Sequence, residues 1–372
     1  MRGCGMPGID DAELAERFRD AGPHANSNSS CLIEGHAAWK LFRLNWLLLA
    51  IALAALDLLL LATGFRIRAS GYLMALTAAS VYGICGHINA TSARSRPWIF
   101  SMLTGIAQLI MVVAVMISMT YIAAASPFPL QDSNLLAFDR AIGFDFGTFV
   151  RFVNARNWLI TLLAFGYRAI SWPLLLNAVL LSLAGRHLQT AEYVLALLLA
   201  LIATTWIAIF VPAIGAYGAA GLPPSDYSNF EPQGYYDTLR DVPLLRDGSL
   251  RELDLFKLGG VVTFPSFHAA AAVLYAWALW PVRWVRWLAL LPNAAMLVAT
   301  PIGGGHFLAD VLAGIAVAAM SIVAASRIGA SLASKQKIGI GGAARAQRCD
   351  DSVSVKTEPP ARFERPVRPA SR

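Results

Sequence analysis

Residues Trp98–Ala125, WIFSMLTGIAQLIMVVAVMISMTYIAAA, run for 28 positions without one charged side chain. A helix crosses a bilayer in about 20 mostly apolar residues. A membrane β-strand would be about ten residues long and would alternate in polarity, and this stretch does not. Outward from it lie seven further apolar runs, at 44–63, 71–90, 158–184, 193–213, 261–281, 284–302 and 307–326, most of them bounded by Arg, Pro or Gly. The pattern predicts an all-α, polytopic transmembrane helical bundle of about eight spans. Composition agrees: of 372 residues 57% are hydrophobic and 14% charged, against about 25% charged in soluble domains. An ordinary soluble enzyme is excluded.

The chain divides accordingly into an N-terminal tail (1–43), the bundle (44–326) and a basic tail (327–372) expected to be disordered. The net charge of +7 sits mostly in that last tail, where ten Lys and Arg face four acids. Aromatic residues hardly interleave with the basic ones, so the tail reads as lying near anionic lipid headgroups, with no nucleic-acid partner. Lys40, Arg43, Arg94, Arg96, Arg186, Arg283, Arg286 and Arg327 flank the spans on one side. By the positive-inside rule that side is cytoplasmic and holds both termini. The Ala- and Arg-rich usage fits a GC-rich bacterial genome, hence an inner membrane.

Cys4, Cys31, Cys85 and Cys349 have no paired spacing, so neither a disulfide framework nor a zinc knuckle is expected. Asp11–Asp20 has the composition of a short surface helix, and Phe138–Phe152 that of an interfacial one.

Polar groups inside a membrane are expensive and need individual reasons. His268 lies in Phe264-Pro265-Ser266-Phe267-His268 at the start of the sixth run, and His306 in Gly303-Gly304-Gly305-His306-Phe307-Leu308-Ala309-Asp310 at the start of the eighth. Alternating topology puts both on the side opposite the termini. Four-residue spacing stacks Asp310 on the His306 ring, and a carboxylate on one ring nitrogen leaves the other free as a nucleophile or base. Gly303–Gly305 allow close backbone approach, Gly305 directly before the ring, and helix starts at Ser266 and His306 offer amides to an anion.

These two segments, in this order, resemble the second and third signature motifs of the type 2 phosphatidic acid phosphatase superfamily of integral membrane proteins. The likeness is strong over 261–326. It implies a six-helix catalytic core, phosphoryl transfer from a lipid phosphate at the periplasmic face, and no cofactor or metal. His306 would be the nucleophile, Asp310 its orienting partner, His268 the proton donor to the leaving alcohol and Ser266 a phosphate ligand.

Two departures stand out. The superfamily's first motif, Lys followed seven residues later by Arg-Pro, has Asn89 before Arg96-Pro97, and Thr300 occupies the arginine position before the nucleophile. In lacking these cations the chain is similar to the inositol phosphorylceramide synthase-like branch, whose Phe-Pro-Ser-x-His resembles 264–268. Cations left to offset phosphate charge are Arg168, deep in the fourth run with Asp57 as an alternative partner, and Arg246, Arg251 and Lys257 in the preceding loop. Hydrolysis and transfer to an alcohol remain equally open, as do the lipid and the oligomeric state. Two alternatives stand beside the enzyme: the same His, His and Asp as ligands of a divalent metal, and a non-catalytic transporter or scaffold with a degenerate site.

Overall fold

The computed structural model describes residues 26–92 and 94–354, with side-chain surroundings for 33–92 and 94–335. It is a helical bundle: α1 (Asn26–Thr63), α2 (Ala69–Thr91), α3 (Pro97–Ala124), α4 (Asp132–Ala141), α5 (Phe146–Asn154), α6 (Asn157–Arg168), α7 (Trp172–Leu183), α8 (His187–Phe210), α9 (Ala216–Ala219), α10 (Gln233–Asp247), α11 (Phe267–Leu279), α12 (Arg286–Gly304) and α13 (Leu308–Ser354). Two residues of β1 (Arg66–Ile67) pair in parallel with β2 (Glu252–Leu253). The expected surface helix over Asp11–Asp20 and the last residues of the basic tail lie outside the described residues; α13 itself runs past 326 to Ser354.

Among the described residues six helices are long and apolar enough to cross a membrane: α1, α2, α3, α8, α12 and α13. Each of the eight apolar runs becomes helix, but two are not straight spans, which corrects the count of eight. The run at 158–184 breaks into α6 and α7, bent by 63°. Pro173 explains the break, because it has no N–H to offer the Ala169 carbonyl and is tolerated only in a first helical turn. The run at 261–281 is helical only from Phe267, since Phe264 and Pro265 form a bend and Ser266 is the N-cap. The bent pair would make seven spans, and α11, with 13 residues, falls short by length.

The bundle packs as a membrane protein does. Leu58, Leu61, Ile84 and Leu288 point outward, consistent with lipid as the solvent. Inside, fully buried Ala270, Ala271, Ala278 and Ala318 let α11 and α13 approach closely. Buried amides join helices: Asn45 on α1 donates to Gln108 of α3 and to the Ala191 carbonyl of α8, and Gln108 donates to the Phe42 carbonyl. In lipid an unmade bond of this kind has no water to replace it.

The segments 126–157 and 214–260 form a cap over one end. The expected interfacial helix at 138–152 is two short helices, α4 and α5, separated by a turn in which Gly143 takes φ 82°. Their apolar faces meet Tyr217, Tyr235 and Phe307 in one cluster. α11 and α13 begin beneath this cap, and α11 packs against both α12 and α13.

Candidate active site

His306 lies between α12 and α13, 4% exposed. Its Nδ1 is 2.8 Å from the Thr263 carbonyl and 3.2 Å from Asp310 Oδ2. Both neighbours are acceptors, and a carbonyl oxygen accepts in every protonation state, so Nδ1 carries the proton and donates it. Nε2 therefore keeps its lone pair. Asp310, fully buried, uses Oδ2 for the Phe307 N–H as well, at 2.9 Å, while its Oδ1 has no partner. Its backbone carbonyl accepts from Ser266 N at 3.0 Å, which ties the start of α11 to the first turn of α13.

Across the gap stands His268, in the first turn of α11, with ring centroids 6.4 Å from those of His306. The two histidine rings, 38 positions apart, are thus brought side by side, with Asp310 hydrogen-bonded to the second. Tyr167, near the end of α6, stacks on His268 at 4.2 Å and an interplanar angle of 6°. Ser266 is buried as the N-cap of α11, and its Oγ accepts from Ala269 N at 3.4 Å.

The glycines stand against the rings of the site. A Cβ on Gly303 would fall 2.5 Å from the Tyr167 ring, and one on Gly304 would lie 2.5 Å from His306 Cδ2 and 2.7 Å from Nε2. Gly305, at φ 67°, ends α12 in the left-handed region, and its carbonyl accepts from Ala216 N. The triplet makes room for aromatic and imidazole rings.

The start of α13 is also not the open anion site that its sequence suggests. The amide of Phe307 is taken by Asp310, and those of Leu308 and Ala309 by Asp139 of α4, at 2.8 and 2.9 Å. Asp139 is fully buried, and burial pushes its carboxyl above the usual range although the two amides pull it down. Sequence reading missed Asp139, Tyr167 and Thr263.

The expected cations are distributed unevenly. Arg168 ends α6 at the bend and is exposed, so its charge sits at a helix break and not in mid-span. It lines a groove with Tyr167 and Gly303, at the edge of the site. Asp57 is on α1, which packs on α3, α8 and α13, whereas α6 packs on α12, so the two are not brought together. Arg251 is spent elsewhere: it donates to the Leu245 and Leu250 carbonyls and lies 4.5 Å over the Phe65 ring. Arg246 donates to the Ser126 and Phe128 carbonyls. Thr300 donates to Met296 of its own helix, so that position adds nothing to the site.

Beside His268 opens an apolar cavity of about 330 Å³. Val113, Ile117, Leu174, Leu201 and Phe267 line it, and Val113 is 37% exposed, so the cavity reaches the lipid-facing surface. Among the described residues no three His, Cys, Asp or Glu side chains converge as metal ligands.

The family model for the PAP2 superfamily matches residues 133–324, from α4 into α13 and over half of the chain. No curated protein and no solved structure matches it.

Proposed function

The chain belongs to the PAP2 superfamily, whose members are phosphatases or phosphotransferases, and from that premise we propose that it moves the phosphoryl group of a membrane lipid through a phosphohistidine. The observation that carries the proposal is the double acceptor on His306 Nδ1, the Thr263 carbonyl with the Asp310 carboxylate, which leaves Nε2 unprotonated.

In the first step Nε2 attacks phosphorus, a P–N bond forms, and the bond from phosphorus to the leaving alcohol oxygen breaks. His268 gives that oxygen a proton. In the second step water or another alcohol attacks phosphorus, His268 takes its proton, and the P–N bond breaks. Asp310 balances the positive charge on the phosphorylated imidazole, where a preorganised charge is worth most. Ser266 keeps its hydroxyl hydrogen for a phosphoryl oxygen, because its lone pair already accepts from Ala269. We assign the missing cationic contact to Arg168, supported by its place beside Tyr167 and Gly303.

Lipid as the substrate class is supported by the apolar cavity that ends at His268 and reaches the bilayer side, a shape suited to an acyl chain. The scarcity of cations favours a singly charged phosphodiester over a doubly charged monoester, in line with the inositol phosphorylceramide synthase-like branch. The basic residues flanking the spans support cytoplasmic termini and a site on the opposite, periplasmic face.

The test is purified protein offered phosphatidic acid and phosphatidylinositol, each with and without a polyol acceptor, with products identified by mass spectrometry. Release of orthophosphate from phosphatidic acid, or of inositol phosphate from phosphatidylinositol, identifies hydrolysis, and a new headgroup ester a transferase. Turnover that persists unchanged in His306→Ala contradicts the proposal.

A further inference from the structure

Helix α4 lies outside both sequence motifs, yet it holds the backbone after His306 directly and the backbone before it through residues 214–216. Asp132 and Asp139 are seven residues apart, which places them on one face of α4 about 10 Å apart along its axis. Asp132 Oδ1 accepts from Ile214 N at 2.9 Å and from Gly215 N at 2.7 Å. The next amide, Ala216 N, donates to the Gly305 carbonyl at 2.7 Å, immediately before His306. Asp139 takes Leu308 N on Oδ2 and Ala309 N on Oδ1, immediately after it. Leu135 and Leu136, between the two acids, pack in the same cluster as Phe307.

We propose that α4 is a two-point clamp whose carboxylates Asp132 and Asp139 fix the backbone before and after His306, and so set where Nε2 points. Both are positioning residues, and the inference rests on the functional reading of His306 given above. A buried carboxylate is a costly way to cap a helix. Its return is rigidity at 305–309, where a displacement of about 1 Å can cost roughly 100-fold in rate.

The two acids differ in a way that sets their tests apart. Asp132 uses one oxygen for both its amides, so Asp132→Asn retains both bonds. Asp139 uses both oxygens, and Asp139→Asn retains one at most, because a carboxamide NH₂ does not accept.

The experiment uses the full chain in detergent micelles. Hydrogen–deuterium exchange is followed over residues 303–312, and kcat and KM are measured on phosphatidic acid and phosphatidylinositol. Asp139→Ala is expected to expose the Leu308 and Ala309 amides to exchange and to lower kcat by about 10- to 100-fold with KM within about twofold. Asp139→Asn falls between Asp139→Ala and the wild type. Asp132→Asn retains more activity than Asp132→Ala. The clamp is overturned if Asp139→Asn matches the wild type in both readouts, if the two Asp132 variants are equally impaired, or if Asp139→Ala lowers thermal stability while kcat holds. If wild-type protein turns over neither lipid, the functional reading fails separately, and exchange at Leu308 and Ala309 alone decides the clamp: no acceleration in Asp139→Ala overturns it.

Discussion

Asp310→Asn isolates the charge of the His–Asp pair from its hydrogen bonds. In the wild type a single oxygen, Oδ2, accepts from both His306 Nδ1 and Phe307 N, and Oδ1 has no partner. An asparagine with its carbonyl in the Oδ2 position keeps both bonds, and its NH₂ takes the vacant side. In a serine-protease triad the equivalent exchange costs about 10⁴ in kcat because the imidazole adopts the wrong tautomer. Here the Thr263 carbonyl, at 2.8 Å, still demands a proton on Nδ1. The tautomer therefore survives, and what is lost is the charged partner of the phosphorylated ring. A hydrogen bond to a charged group is worth about 1.5–3 kcal/mol, which at about 1.36 kcal/mol per decade corresponds to a 10- to 150-fold fall in kcat. Initial rates on the better of the two lipid substrates, with melting temperature as the control for folding, measure it. A fall near 10⁴ would mean that Thr263 does not hold the tautomer, and a fall below about threefold would remove Asp310 from the mechanism.

The remaining predictions follow from packing. Gly304→Ala drives a methyl group to 2.5 Å from the His306 ring and should abolish turnover, while Gly83→Ala on α2, which meets open space, should behave as wild type in the same assay. Leu201→Trp narrows the apolar cavity and should raise KM severalfold for a long-chain lipid phosphate without changing that for a short-chain, water-soluble analogue. Saturating chelator should leave the rate unchanged. A loss restored by a divalent cation would instead favour His268, His306 and Asp310 as metal ligands.

Much of the fold is written in local sequence, because crossing a bilayer imposes a length that a run such as Trp98–Ala125 advertises on its own. The break between α6 and α7 also had a local cause in Pro173, but composition alone merges the two halves into one run. His306 and Asp310 were legible because four-residue spacing fixes their relation within one helix, and His268 joined them through topology. The glycine triplet was half legible: its lack of side chains signals close approach, but only the fold reveals that the approaching groups include the rings of Tyr167, His306 and Tyr235. Likewise nothing near position 308 announces that its amide is taken by Asp139, 169 residues earlier. Arg168 looked costly because hydropathy places it in mid-span; the bend puts it at a helix end, where a guanidinium is easily tolerated.

The nucleophile is tested most directly by trapping it. Wild-type protein is mixed with a lipid carrying radiolabelled phosphate, quenched in alkali and digested, and the labelled peptide is sequenced by mass spectrometry. The mechanism predicts label on the imidazole of His306, absent in His306→Ala. Product formation with the label on any other side chain, or with none bound to protein, would contradict it.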